Sequence, residues 1–343
     1  MNELLIHLLK IAGVIGVMLG IVAYTVLAER WVCAWMQDRI GPNRVGPFGI
    51  LQPLADGLKF IFKEDVLPRH VRHKFYFTVA PMITMVPALI TVAVVPWGSY
   101  LPVLGHNIKG VIADLDVGIL FIFAIASLGV YGIVLAGWSS NSKYPFLGGI
   151  RSSAQMISYE VCLGLSVVPV FMQAGTLNLW NVVLYQAEHT WLVWCQPLSF
   201  VIFMVSAFAE TNRTPFDLPE AEQELVGGYH TEYSSMKFAM FFLGEYANMF
   251  VASALMATLF FGGWSLPVAP LNAPATTLAV GLAHVGVFLA KTLFFLFVFI
   301  WVRWTLPRFR YDQLMTLGWK VFVPLTIVNI LVSSVVLAVM ENG

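Results

Sequence analysis

The sequence predicts an all-α polytopic membrane protein, with eight transmembrane helices and an interfacial amphipathic helix after the first, in a single integral membrane domain over residues 1–343. Three observations carry this reading. Of 343 residues, 59% are hydrophobic and 11% charged, whereas a water-soluble chain carries about a quarter charged residues to coat its surface. The mean hydropathy is +0.79. Eight segments approach or exceed the about 20 apolar residues that a helix needs to cross a ~30 Å hydrocarbon core. They are Ile11–Ala28, Phe75–Trp97, Val117–Trp138, Ala154–Met172, Trp191–Ala209, Phe238–Trp264, Thr276–Val302 and Val321–Met340. The formal charge is zero, from 19 basic and 19 acidic residues with no basic tract, which argues against nucleic acid as a partner. Cys33, Cys162 and Cys195 stand far apart and never as C-x-x-C, so this chain alone ligates no iron–sulfur cluster or c-type haem.

The first span lacks a small-residue cleavage site and runs into Glu29-Arg30, so it reads as a mature membrane helix rather than a signal peptide. After it, Gly41-Pro42-Asn43-Arg44-Val45-Gly46-Pro47-Phe48-Gly49 cannot continue a helix and reads as a turn. Leu51, Leu54, Leu58, Ile61 and Phe62 then recur at helical spacing opposite Gln52, Asp56, Lys59 and Lys63. Such a helix lies along a membrane surface instead of crossing it. Sixteen of the nineteen Lys and Arg residues fall in the odd-numbered connections. Positive charge is retained on the cytoplasmic side, so both termini are expected on the outer (periplasmic) face of a bacterial plasma membrane or a mitochondrial inner membrane. His70 and His73, among Arg69, Arg72 and Lys74, lie in a cationic neighbourhood that repels a metal ion and suits a juxtamembrane anchor. His284, alone in the seventh span, reads as a hydrogen-bonded packing residue.

Ionisable groups inside a span cost several kcal/mol unless paired or hydrated. Glu29, Glu160, Glu210 and Glu245 all fall in the inner half of the bilayer, and Lys291 falls near the midplane. Carboxylates grouped at one depth favour each other's neutral form, so this layer reads as an entry path for protons with Lys291 as a deeper station. Between the fifth and sixth spans, Glu210, Asp217, Glu220, Glu222, Glu224 and Glu232 face only Arg213. An acidic run of this kind is usually solvated, but Phe216, Leu218, Leu225, Val226 and Tyr229 suggest a segment folded back on the bundle or on a partner. No nucleotide-binding glycine loop, nucleophile elbow or metal-binding helix motif occurs, so the chain is not a self-contained enzyme. Two classes stay open on these grounds: a proton-coupled transporter, or a membrane subunit coupling a partner's chemistry to proton movement.

Longer strings narrow the choice. Leu27-Ala28-Glu29-Arg30, Gln37-Asp38-Arg39-Ile40 running into Gly41–Pro47, Arg151-Ser-Ser-Ala-Gln-Met-Ile-Ser-Tyr-Glu160, the stretch Ala209–Tyr233, and Leu306–Met315 closely resemble the family of H subunits of NADH:quinone oxidoreductase, respiratory complex I. The resemblance implies a chain joining other membrane-arm subunits to a peripheral arm whose subunits carry FMN and iron–sulfur clusters, with quinone as substrate and no cofactor bound by this chain alone. It implies quinone-tunnel positions at Arg30, Arg39, Asp56, Phe242 and Arg303. It also implies an acidic path through Glu160, Glu210, Asp217, Glu220, Glu222, Glu224 and Glu245, to which depth adds Glu29 and Lys291. Trp31 departs from the pattern, since many relatives carry a second basic residue there. The alternatives are the homologous anchor subunit of a membrane-bound hydrogenase and a purely structural anchor.

Overall fold

The computed structural model describes residues 3–103, 106–217, 226–268 and 271–342. Among these, the helices are α1 (Glu3–Met36), α2 (Gln52–Phe62), α3 (Lys74–Thr91), α4 (Gly118–Ser139), α5 (Lys143–Ala174), α6 (Leu179–Glu188), α7 (Leu192–Cys195), α8 (Pro197–Glu210), α9 (Ser235–Phe260), α10 (Leu278–Thr305), α11 (Tyr311–Thr316) and α12 (Val323–Asn342). A π-helical stretch, Leu317–Phe322, joins the last two. The protein is an all-α integral membrane protein. Among the described residues, seven helical segments are long and apolar enough to cross a bilayer, and Pro197–Glu210 is a shorter apolar helix.

That shorter helix corrects the predicted fifth span, Trp191–Ala209. The stretch breaks at Gln196, whose φ of −128° and ψ of 56° lie outside the helical region. Pro197 is the cause, because its ring disfavours helical backbone at the residue before it and it has no N–H to donate. Elsewhere the helices outrun the hydropathy limits. α1 has 34 residues and α5 has 32, and α5 begins at Lys143, well before the predicted Ala154. Hydropathy marks the lipid-buried part of a helix, whereas the more polar turns that flank it are held by tertiary contacts. A two-stranded antiparallel hairpin, β1 (Tyr100–Val103) and β2 (His106–Lys109), pairs Tyr100 with Lys109 and Leu101 with Ile108. Four-residue strands leave no readable period, and this hairpin was not predicted.

α9 is the central helix, with 67% of its apolar window buried, against 17% for Tyr311–Met340 at the periphery. α3 and α4 pack closely where Gly132 faces α3: a Cβ there would lie 2.2 Å from Thr84 Oγ1 and 2.9 Å from the Ala80 carbonyl. Small residues allow such backbone approach in membrane bundles, where apolar attraction between helices is weak. At one end of the bundle Lys10 donates to the Val111 carbonyl, Lys109 pairs with Asp114, and Ser99 Oγ lies 2.5 Å from His284 Nδ1. The predicted packing role of His284 thus has its hydrogen-bond partner. The ends of α1, α4, α8 and α10 and the starts of α3, α5 and α9 gather at the opposite end, and there the candidate site lies.

Candidate functional site

The site begins where α1 turns back. Gly46, Phe48 and Gly49 have positive φ, at 72°, 53° and 79°, so the chain reverses within a few residues. A Cβ on Gly49 would fall 2.1 Å from the Pro42 carbonyl oxygen, which only glycine tolerates. Trp31 donates its indole N–H to that same carbonyl at 3.1 Å and stacks on Trp35 at 6.5 Å between centroids. The residue that departs from the family pattern therefore braces the loop.

The reversal sets α2 beside α1 as a helix with no buried residue. Its apolar side points away from the protein, with Leu54 63%, Leu58 53% and Phe62 83% exposed, as expected of an interfacial helix. Its polar side meets α1: Asp56 Oδ2 lies 2.7 Å from Arg30 Nη1, and Gln52 donates to Asp56 Oδ1 at 3.0 Å. Ser235 Oγ, at the start of α9, lies 2.9 and 2.8 Å from the carbonyl oxygens of Phe60 and Lys63, so its single O–H is shared between acceptors at the end of α2.

A cavity of about 930 Å³ lies between α1, α2, α9 and the end of α10. Arg30, Arg39, Asp56, Phe242 and Arg303 all line it, as does Glu29. Its walls are mainly apolar, with Val22, Val26, Phe60, Ile61 and Phe238 among them. Phe238 packs on Phe242 at 4.6 Å and on Phe60 at 6.2 Å. The buried thiol of Cys33 also faces the cavity, 3.7 Å from Arg39 Nη2. Apolar walls with a few convergent polar groups suit a hydrophobic ligand with a polar head.

The inner wall leads into a buried charge cluster. Glu29 accepts from Tyr246 Oη and pairs with Arg303, and Arg213 Nη1 is 3.8 Å from it. Arg213 Nε in turn pairs with Glu245, while its guanidinium lies 4.2 Å over the Tyr246 ring. The side chains of Glu29, Arg213 and Glu245 are 8%, 5% and 9% exposed, so mutual neutralisation is what makes their burial tolerable. Next to this group Asp217 accepts from Arg308 at 3.0 Å. Burial pushes the Asp217 carboxyl above the usual aspartate range, against the opposing pull of Arg308, Arg303 and Arg213. The segment carrying Arg213 is set by Gln155 of α5, which is fully buried and donates to the Ala209 and Phe216 carbonyls, both at 2.8 Å. Phe309 clasps it from the other side: its N–H donates to the Pro215 carbonyl at 2.9 Å, and its ring stacks on Phe216 at 5.3 Å.

The remaining candidates separate into groups. Glu160 and Glu210, both partly buried, sense each other electrostatically. Glu160 also borders a second, almost wholly apolar cavity of about 600 Å³ between α4 and α5. Lys291 is not with the acids. Its ammonium donates to the carbonyls of Phe261, Gly263 and Ser265 at 2.6, 3.0 and 2.6 Å and lies 4.8 Å from the Trp191 ring. It therefore serves as a cation at the C-terminal end of α9, about 18 Å from Arg303 along α10 at ~1.5 Å per residue. Glu220, Glu222 and Glu224 lie outside the described residues. Arg213 and Tyr246 were not predicted as site residues. Arg213 had a signal, as the one cation in an acidic run, whereas Tyr246 had none.

The geometry agrees with what comparison finds. The family model described as NADH dehydrogenase matches residues 9–334. The chain is 50% identical over 324 residues to the H 1 subunit of the NADH-quinone oxidoreductase of Cytophaga hutchinsonii, covering 94% of each chain. It is 52% identical over 335 residues to the H 1 subunit of the Geobacter metallireducens NADH-quinone oxidoreductase, covering 98% of this chain and 97% of the relative. To NADH-quinone oxidoreductase subunit 8 of Rhodothermus marinus it is 52% identical over 327 residues, covering 93% of each. Identity of this order over nearly the whole length, on a membrane bundle of the expected kind, makes the chain a member of the NADH dehydrogenase family that includes the H subunits of NADH-quinone oxidoreductase.

Proposed function

We propose that this chain is the membrane subunit of a proton-pumping NADH–quinone oxidoreductase that admits quinone and couples its reduction to proton translocation. On this reading it sits where the membrane arm meets a peripheral arm whose subunits hold FMN and iron–sulfur clusters, with its own termini on the outer face. The observation that carries the reading is the 930 Å³ cavity. It is entered beside a helix whose apolar face suits the lipid boundary, its walls suit an isoprenoid tail, and Arg30, Asp56 and Arg303 are spaced to guide a polar head inward.

The cavity's inner wall is built on Glu29, and Glu29 shares Arg213 with Glu245. Quinone reduction consumes two protons and alters local charge, so a change at the cavity is felt by groups that neutralise one another in a low-dielectric interior. Asp217 and the Glu160–Glu210 pair continue the path, with Glu220, Glu222 and Glu224 as its proposed members outside the described residues. Lys291 remains a candidate deeper station whose present contacts are those of a helix cap. The names of the relatives favour quinone over a hydrogenase partner.

Two variants in the purified complex test this reading. Asp56→Ala is expected to raise the apparent quinone KM severalfold with assembly intact, because Arg30 loses its partner at the mouth. Glu210→Gln is expected to keep assembly and cut quinone-linked turnover by an order of magnitude or more, since general proton-transfer groups are worth about 10²-fold or more. Unchanged kinetics in both would reduce the cavity and the acids to scaffold.

A further inference from the structure

A second surface at the same end of the bundle belongs neither to the cavity nor to the charge cluster. Arg69, Arg72, Lys74 and Lys143 are all exposed. The segment before α3 is drawn onto the α4–α5 turn by Asn141, which donates to the His70 carbonyl at 2.9 Å, and by His73, whose ring stacks on Trp138 at 5.0 Å. Two nearby acids have contacts of their own: Glu232 lies 3.4 Å from the His70 ring and Asp65 lies 2.8 Å from Lys237. None of the four cations has an ion pair or side-chain hydrogen bond among the described residues.

Exposed aromatics surround them. Tyr76 packs on Trp138 at 5.8 Å and on Phe75 at 5.6 Å, yet Phe75, Trp138 and Tyr144 are 72%, 46% and 53% exposed. Trp and Tyr concentrate at the level of lipid headgroups, where one edge of the ring is apolar and the other hydrated. Unneutralised Arg and Lys at that level attract anionic lipid. We infer that Arg69, Arg72, Lys74 and Lys143, framed by Phe75, Tyr76, Trp138 and Tyr144, form a binding site for the phosphate headgroup of an anionic phospholipid. The guanidinium groups offer forked donors to phosphate oxygens, and the aromatic rim packs against the glycerol backbone and upper acyl chains. A zwitterionic headgroup brings its own cation and gains much less from four positive charges that have no ion pair among the described residues.

The test uses the intact complex in phosphatidylcholine vesicles containing a trace of phosphatidylglycerol with a photoactivatable group near its headgroup. Adducts are expected on the segments 69–76 and 138–144, and a phosphatidylcholine probe of the same design should label them far less. Charge-assisted hydrogen bonds to a phosphate are worth about 1.5 kcal/mol or more each, so R69Q/R72Q/K74Q should lower the label by about tenfold or more. The charge-preserving R69K/R72K should keep clearly more label than R69Q/R72Q while losing the forked contacts, which separates lost charge from a disturbed fold. Equal labelling by the two lipids, or a triple variant that labels like the parent, overturns the site. So does displacement of the lipid by free inorganic phosphate. If the patch takes no lipid label and Lys74 or Lys143 cross-links to another subunit, the surface belongs to a protein partner and the inference fails.

Discussion

Asp217 shows how opposing effects settle at one side chain. Burial raises its carboxyl above the ordinary aspartate value, and the pull of Arg308, Arg303 and Arg213 only partly opposes this. A carboxyl with a raised folded-state pKa binds its proton more tightly when folded than when unfolded. Between the ordinary value and the raised one, stability therefore falls as pH rises, and the full deficit is present above the raised value. In the purified complex, thermal unfolding against pH should show this decline, and Asp217→Asn should flatten it. Parallel curves for the two proteins would mean that Asp217 does not titrate in that window. The acid itself was legible in the sequence as part of a negative run. Its partner Arg308, 91 residues further along, was not, because charge pairing across a bundle leaves no local pattern. Tyr246 was hidden for a similar reason, since one tyrosine in an aromatic-rich helix carries no distinguishing mark.

At the scale of elements, what could be read was what has a period or a forced break. The interfacial helix appeared through its two faces, and α2 is that helix. Pro197 was visible too, yet an uninterrupted hydropathy reading ran through it and made one span of α7 and α8. The consequence is a polar lock: Gln196, at the break, donates to Ser333 Oγ at 3.1 Å, and Asn329 of α12 donates to Ser199 Oγ at 2.9 Å. Interhelical hydrogen bonds of this kind help hold a peripheral helix to a bundle in lipid. The loop between α1 and α2 is the element most sensitive to a single methyl group. Gly49→Ala imposes a left-handed backbone on a residue with a Cβ, at a cost of about 1–2 kcal/mol, and must also clear the Pro42 carbonyl. We expect α2 to shift, the Arg30–Asp56 pair to break and the apparent quinone KM to rise, with NADH oxidation by artificial acceptors unchanged. Steady-state kinetics with both acceptors check this, and a parallel loss of both activities would point to failed assembly instead.

For the molecule as a whole, hydropathy and the distribution of basic residues made the helical passes and the charged end of the bundle legible. The convergence of that end on Arg213 was not legible, since its partners come from α1 and α9 and its neighbour Arg303 from α10. Arg213 therefore acts as a rivet between elements far apart in the chain. Arg213→Leu should destabilise the protein by about 3–5 kcal/mol, the usual cost of stranding buried carboxylates. Arg213→Lys should recover only part of this, because a compact ammonium does not reproduce the fork that spans Glu29 and Glu245. Thermal inactivation of the two purified variants measures the difference, and equal stability in variants and parent would refute the rivet.

α1 gives the assembly a further property. Its 34 residues make a rod of about 51 Å through a slab of oil ~30 Å thick, and one continuous piece of it touches lipid while the next carries Glu29, Arg30 and Cys33 into the cavity wall. Such a rod answers a thinner or thicker slab by changing its tilt. Acyl-chain length is thus expected to act mechanically on the width of the cavity, without any ligand binding to it.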